Sequence, residues 1–197
     1  MGAFKVDIFA SVRYLTFFNK EYFIGKTFLL SKSYSIAVAG ATGAVGQRFI
    51  QLLDNHPWFE VVALTGSDRA IGQKYYETCH WILPTPMPER VRNLIVTPTM
   101  PVEINTPLAF SALPTNVARE AEPLYAQSGT VVCSNASAYR QEPDVPLMLP
   151  EVNPDHTKLV SKQQKDRNWP GFIVTNPNCT NTGITIALKP LYDQFGI

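Results

Sequence analysis

The residues with the most chemical potential lie in one stretch, Asn176-Pro-Asn-Cys179-Thr-Asn-Thr-Gly183. An apolar run, Gly171-Phe-Ile-Val-Thr, leads into it, and Ile184, Leu188, Leu191 and Phe195 follow at helical spacing. Cys179 is therefore expected where a strand ends and a helix begins. The first turn of a helix offers unpaired N–H groups and positive potential, and both favour a thiolate over a thiol. Asn178 and the N–H groups after Cys179 are the candidates to hold an oxyanion.

A second chemical group precedes it. Thr130-Val-Val-Cys-Ser134 reads as a buried strand, and Ser134-Asn-Ala-Ser-Ala-Tyr-Arg140 carries a guanidinium away from its end. Arg140 is either a bidentate ligand for a carboxylate or phosphate or a surface arginine. Cys133, inside the strand run, reads as a small buried hydrophobe. Cys79 and His80 are adjacent, a poor chelate geometry, and no metal-ligand spacing occurs among Cys and His. His56, His80 and His156 are the only histidines, and the sequence brings none of them to Cys179 as an acid/base.

The elements that must position these groups begin at Ser35-Ile-Ala-Val-Ala39, which runs into Gly40-Ala-Thr-Gly43-Ala-Val-Gly46. A helix follows with Val45, Phe49, Leu52 and Leu53 on its inner face, stopped by Asn55-His-Pro57, and a second strand spans Phe59 to Leu64. Strand, glycine turn, helix and strand in that order form the first unit of a dinucleotide-binding sheet. The glycines allow a tight turn and close approach to a pyrophosphate resting on the helix N-terminus. After the second strand, Thr65-Gly-Ser67-Asp68-Arg69 offers both signs of charge. Ser67 and Arg69 suit a 2′-phosphate and Asp68 a ribose hydroxyl, so the local chemistry leans to NADP without excluding NAD.

Further strands are expected at Arg92–Val96, Leu108–Leu113 and Asp144–Asn153. A helix from Pro114 to Ser128 turns Val117, Ala118, Ala121, Leu124 and Tyr125 inward and contains Pro123, which should kink or shorten it. Ser111-Ala112 ends one strand with small residues that a cofactor can approach. Residues 155–168 read as a solvated helix and loop. A nucleophilic cysteine beside a nicotinamide site suggests interconversion of an aldehyde and an acyl group through a thioester.

Composition sets the outer limits. With 197 residues and 45% hydrophobic content, the chain can build one sizeable core and the start of a second unit. A net charge of +1 gives no reason to invoke nucleic acid or an anionic membrane. Three widely spaced cysteines argue for a reducing, cytoplasmic setting. Residues 1–34 differ: aromatic and basic, with no run long enough to span a bilayer. They read as a poorly ordered extension outside the fold.

Gly40-Ala-Thr-Gly-Ala-Val-Gly-Gln-Arg-Phe49, Ser67-Asp-Arg69 with Gly72-Gln-Lys-Tyr75, Phe110-Ser-Ala-Leu-Pro114, Ser134-Asn-Ala-Ser-Ala-Tyr-Arg140, Asp144-Val-Pro-Leu with Pro150-Glu-Val-Asn153, and Asn176-Pro-Asn-Cys179 together resemble the aspartate-semialdehyde dehydrogenase family, nearest its fungal and archaeal branch. The resemblance implies an α/β fold: a Rossmann-type parallel sheet with helices on both faces, then the start of an α+β catalytic and dimerisation domain. It implies an NADP-binding unit over residues 35–178, with residues 179–197 as the first helix of the catalytic domain. The chain would then be an N-terminal piece of the enzyme, inactive alone.

The implied reaction is NADP-dependent reductive dephosphorylation of L-aspartyl-4-phosphate to L-aspartate 4-semialdehyde, feeding lysine, methionine and threonine synthesis. Cys179 would be the acyl acceptor and Asn178 its active-site neighbour, while Asn135 and Arg140 would bind phosphate. Gly40, Thr42, Gly43, Ala44, Val45 and Gly46 would cradle the NADP pyrophosphate. Ser67 and Arg69 would hold its 2′-phosphate, and Ser111, Ala112, Leu113 and Ser134 would line the rest of its path. The family's acid/base histidine, its substrate-carboxylate arginine and its dimer surface would belong to residues beyond this chain. N-acetylglutamyl-phosphate reductase, malonyl-CoA reductase and a non-catalytic NADP-binding fragment are the alternatives. Ser67, Arg69 and Pro150-Glu-Val-Asn153 speak against the first.

Overall fold

The computed structural model describes residues 33–100 and 105–196. Most of the expected extension therefore lies outside the described residues. Its boundary moves, because Tyr34 is already the first residue of strand β1 (Tyr34–Ala39) and pairs with Phe59.

Six parallel strands form one sheet in the order β3-β2-β1-β4-β5-β6. After β1 come α1 (Ala44–Leu53), β2 (Phe59–Thr65), the short α2 (Tyr75–Thr78) and α3 (Glu89–Arg92), β3 (Val96–Thr97) and β4 (Leu108–Ser111). Then follow α4 (Thr115–Gln127), β5 (Val131–Ser134), a 3-10 turn (Pro154–Lys158), α5 (Leu159–Arg167), β6 (Phe172–Thr175) and α6 (Cys179–Phe195). The strand order reverses between β1 and β4, the switch point at which a doubly wound sheet binds its ligand beyond the strands' carboxyl ends.

Alternation along the strands builds two cores. Ile36, Val38, Leu64, Leu108 and Phe110 face Phe49, Ile50 and Leu53 of α1. Ala37, Ala39, Ala109, Val132 and Ile173 face Ala118, Ala121, Tyr125 and Ala126 of α4. Small side chains on the second face let helix and sheet approach closely, while bulky ones fill the first. Full burial of a side chain such as Phe49 stabilises by about 2–3 kcal/mol.

Several expected details change. The inner face of α1 is Gly46, Gln47, Phe49, Ile50 and Leu53; Val45 is exposed and Leu52 only partly covered. The α4 face is rotated towards Glu122 and Ala126, leaving Val117 and Leu124 half-buried. The strand expected at 92–96 is the end of α3 and a connection; Ile95 makes an isolated antiparallel bridge to Lys74, and the sheet is joined only at Val96. No strand forms over 144–153; a single parallel bridge joins Leu147 to Thr175, because its prolines remove the donors a ladder needs. Residues 155–168 are not wholly solvated. Val160 is buried, and Gln163, also buried, donates to the Asp144 and Ile173 carbonyls while accepting from Ile173 N–H.

Candidate functional site

The glycine turn sits at the carboxyl end of β1. Gly40 has φ +77°, and a Cβ there would lie 2.8 Å from the Ala112 carbonyl oxygen beyond β4. A Cβ on Gly46 would lie 2.2 Å from the Gly40 carbonyl oxygen, so that glycine lets α1 pack on the turn. Gly43 differs: a Cβ there meets nothing nearer than 3.6 Å, and the residue is exposed as the N-cap of α1. Two glycines thus serve the protein's own packing, and the third keeps the surface of the turn clear. Thr42 is half-buried, Ala44 and Val45 are exposed on the first turn of α1, and the orphan N–H groups of that turn open towards the same space. This cradle fits a pyrophosphate.

Two side chains that the sequence reading passed over hold the turn. Gln47, fully buried, donates through Nε2 to the Thr42 and His80 carbonyls, each at 3.0 Å, and accepts from Ile82 N–H at 2.9 Å. Tyr75 donates its hydroxyl to the Ala41 carbonyl at 2.7 Å. A glutamine on the apolar stripe of α1 was the available signal for the first. Ser67 and Arg69 are exposed in the turn just beyond β2, which closes through Ala70 N–H to the Ser67 carbonyl. At the end of β4 Ser111 is buried, and just beyond it Ala112 is half-buried and Leu113 buried.

The chemical groups gather farther along the same edge. Arg140 donates through Nη2 to the Asn135 carbonyl at 2.7 Å, and its buried Nε closes no hydrogen bond. The Asn135 side chain accepts from Asn176 Nδ2 at 2.5 Å. The turn after β5 and the turn after β6 are thereby tied together. Burial draws the Arg140 pKa below its ordinary value, and the charge of Cys179 opposes that shift, so the two groups lie within electrostatic reach.

Cys179 is an exposed free thiol on the first residue of α6, as the strand-then-helix pattern predicted. Asn178 caps the helix, its Oδ1 accepting from Thr180 N–H at 2.8 Å. That bond occupies one of the first-turn amides expected to face an oxyanion; those of Cys179 and Asn181 have no acceptor within the helix.

The other sulfurs and the histidines stand apart from this chemistry. Cys133 is buried, and desolvation pushes its thiol up to about 12. Cys79 is buried as well. His56 stacks on Phe59 at 4.9 Å at the opposite, amino end of β2, and burial lowers its pKa. His80 contributes its carbonyl to Gln47, and His156 is exposed in the 3-10 turn. Among the described residues no group of His, Cys, Asp and Glu could hold a metal, and no helix is long and apolar enough to cross a membrane.

A parallel sheet wound both ways from a switch point, with a glycine turn there and a helix-borne cysteine along the same edge, defines a Rossmann-type dinucleotide-binding domain. Residues 35–160 match the family model described as semialdehyde dehydrogenase, NAD binding domain, and the chain belongs to that family. It is 51% identical over 160 residues to the aspartate-semialdehyde dehydrogenase of Archaeoglobus fulgidus, covering 81% of this chain and 47% of that protein. It is also 37% identical over 167 residues to the malonyl CoA reductase (NADP) of Metallosphaera sedula, with 84% and 46% covered. A solved aspartate semialdehyde dehydrogenase with NADP from Candida albicans superposes with a TM-score of 0.76 at 40% identity, covering 84% of this chain and 48% of that one. The chain spans about half the length of the curated relatives it matches.

Proposed function

We propose that the protein acts as an aspartate-semialdehyde dehydrogenase, reducing L-aspartyl-4-phosphate to L-aspartate 4-semialdehyde with NADPH and releasing phosphate. The observation that carries this reading is the exposed Cys179 on the first turn of α6, three residues after Asn176, whose side chain bonds Asn135, the residue that Arg140 also holds. The Cys179 sulfur attacks the acyl carbon, a C–S bond forms, and the C–O bond to phosphate breaks. Asn135 and Arg140 hold the phosphate as it departs, with Arg140 Nε free to donate. The Cys179 and Asn181 amides and the Asn178 Nδ2 group support the oxyanion. NADPH, when bound, supplies the hydride that takes the thioester to the aldehyde level. The C–S bond then breaks and the sulfur is released for another turnover.

For the cofactor, Gly40 to Gly46 and the first turn of α1 hold the pyrophosphate, and Ser67 and Arg69 hold the 2′-phosphate. Ser111, Ala112, Leu113 and Ser134 form the wall farther along. Ile184, Leu188, Leu191 and Phe195 are exposed on α6, which supports reading residues 35–178 as the cofactor unit and α6 as the start of a catalytic and dimerisation unit. In this reading the partners are small molecules and a second copy of the protein, and the setting is cytoplasmic.

The Metallosphaera relative keeps malonyl-CoA reduction as the second reading, because its match covers 84% of this chain. The test is NADPH titration together with phosphate-dependent oxidation of aspartate semialdehyde. Saturable NADPH binding with phosphate-dependent turnover, both present in wild type and only binding kept in Cys179→Ala, supports the proposal. Full activity in Cys179→Ala refutes the nucleophile, and activity with malonyl-CoA alone supports the second reading.

A further inference from the structure

Glu122 is the one fully buried acid among the described residues, and nothing in the proposed chemistry uses it. It projects from α4 to the carboxyl ends of β4 and β5, where Ser111 and Ser134 stand side by side in register. The Ser134 hydroxyl accepts from Ala136 N–H at 3.0 Å, so its single proton goes to Glu122 Oε1, at 2.6 Å. The other oxygen, Oε2, and the Ser111 hydroxyl are both buried and neither closes a well-formed bond. Ser111 lies in register with Ser134, the serine that bonds the same carboxyl.

We propose that Glu122 is a positioning residue: through Ser134 and the Ala136 amide it sets the turn that presents Asn135 and Arg140, and through Ser111 it sets the direction of a hydroxyl on the cofactor wall. The consequence for the site rests on the functional reading above; the hydrogen-bonded chain does not. Proton counting gives the device two settings. A protonated Glu122 donates from Oε2 to Ser111 and frees the Ser111 proton to point elsewhere. An ionised Glu122 accepts hydrogen bonds from both serine hydroxyls. Burial pushes the Glu122 pKa up to about 7, against the Ser134 bond and the nearby Ser111 hydroxyl that pull it down, so both settings fall in the neutral range. The titratable groups whose charges couple to it are Tyr125 on the same helix and Tyr139 in the turn after β5, and both are raised above the ordinary tyrosine value. Neither tyrosine accounts for a transition near neutrality.

The experiment is a pH titration of the full chain labelled with 15N-alanine, following the Ala136 amide, alongside NADPH and inorganic phosphate titrations of the same samples. In wild type the Ala136 resonance moves with a midpoint near pH ~7. In Glu122→Gln it is flat, while NADPH and phosphate affinities stay within about threefold of wild type, because the amide keeps an acceptor for Ser134. Glu122→Ala weakens both ligands by roughly tenfold. Ser134→Ala, which cuts the link and leaves the carboxyl, abolishes the Ala136 response and keeps the assignment testable should Glu122→Ala fail to fold. An Ala136 amide that does not move in wild type, or moves equally in Glu122→Gln, overturns the proposal. A moving amide in a protein that binds no NADPH upholds Glu122 as the holder of the turn and defeats the functional reading instead.

Discussion

The side-chain amide of Asn176 donates to Asn135 Oδ1 at 2.5 Å across the ends of β6 and β5. This bond, together with the one from Asn176 N–H to the Ser134 carbonyl at 2.9 Å, ties the turn bearing Arg140 to the turn bearing Cys179. Asn176→Ala is expected to raise KM for phosphate about tenfold with a smaller change in KM for the aldehyde. Arg140→Lys should be far worse than its charge suggests, since a lysine cannot both hold the Asn135 carbonyl and present a planar fork. Steady-state kinetics with varied phosphate checks both.

The glycine turn separates packing from binding. Gly46→Ala forces a Cβ onto the Gly40 carbonyl and is expected to cost about 1–3 kcal/mol or more of stability in denaturant unfolding. Gly43→Ala has room, so its unfolding midpoint should stay near wild type while NADPH affinity falls. Equal effects of the two on stability would contradict this division.

Arg69 is exposed just beyond β2. Arg69→Ala is expected to weaken NADPH at least tenfold and leave NADH nearly unchanged. A preference for NADPH that survives the substitution would remove the 2′-phosphate assignment.

Two buried carboxylates give opposite pH dependences of stability. Glu122 titrates at about 7 in the folded chain against an ordinary value of 4.5, so between these the native state binds more protons than the unfolded one. Stability from this group therefore falls as pH rises through that window, by about 3 kcal/mol in total. Asp144 behaves the other way. Hydrogen bonds from Arg167 hold its pKa below the ordinary value, so its contribution is present at neutral pH and is lost as pH falls through the lowered value. Urea unfolding from pH 4 to 8 should show the Glu122 slope vanish in Glu122→Gln, and acid sensitivity should change in Arg167→Met.

What was legible in the sequence was whatever local pattern decides. The glycine turn, the apolar runs of β1 and β4, and the strand-to-helix step at Cys179 are written in residues a few positions apart. The structure also confirmed that Cys133 is a buried hydrophobe. The proline-rich 144–153 segment misled, because its apolar residues are buried without a ladder: Met148 packs on Phe172 and Val174 of β6, and Val145 joins the core on the α4 face. Glu122 and Gln47 were missed for a related reason: each lies on an apolar helix face, where only tertiary partners reveal that a polar side chain is satisfied. The link from Asn135 to Asn176 spans 41 residues and had no local signature.

The most direct test of the central claim is peptide mass spectrometry on the protein isolated from its source cells, incubated with aspartate semialdehyde and NADP+ without phosphate and then quenched in acid. The account predicts an aspartyl adduct on the Cys179 peptide alone, discharged when phosphate is added. An adduct on Cys79 or Cys133, or turnover with Cys179 never modified, would contradict it.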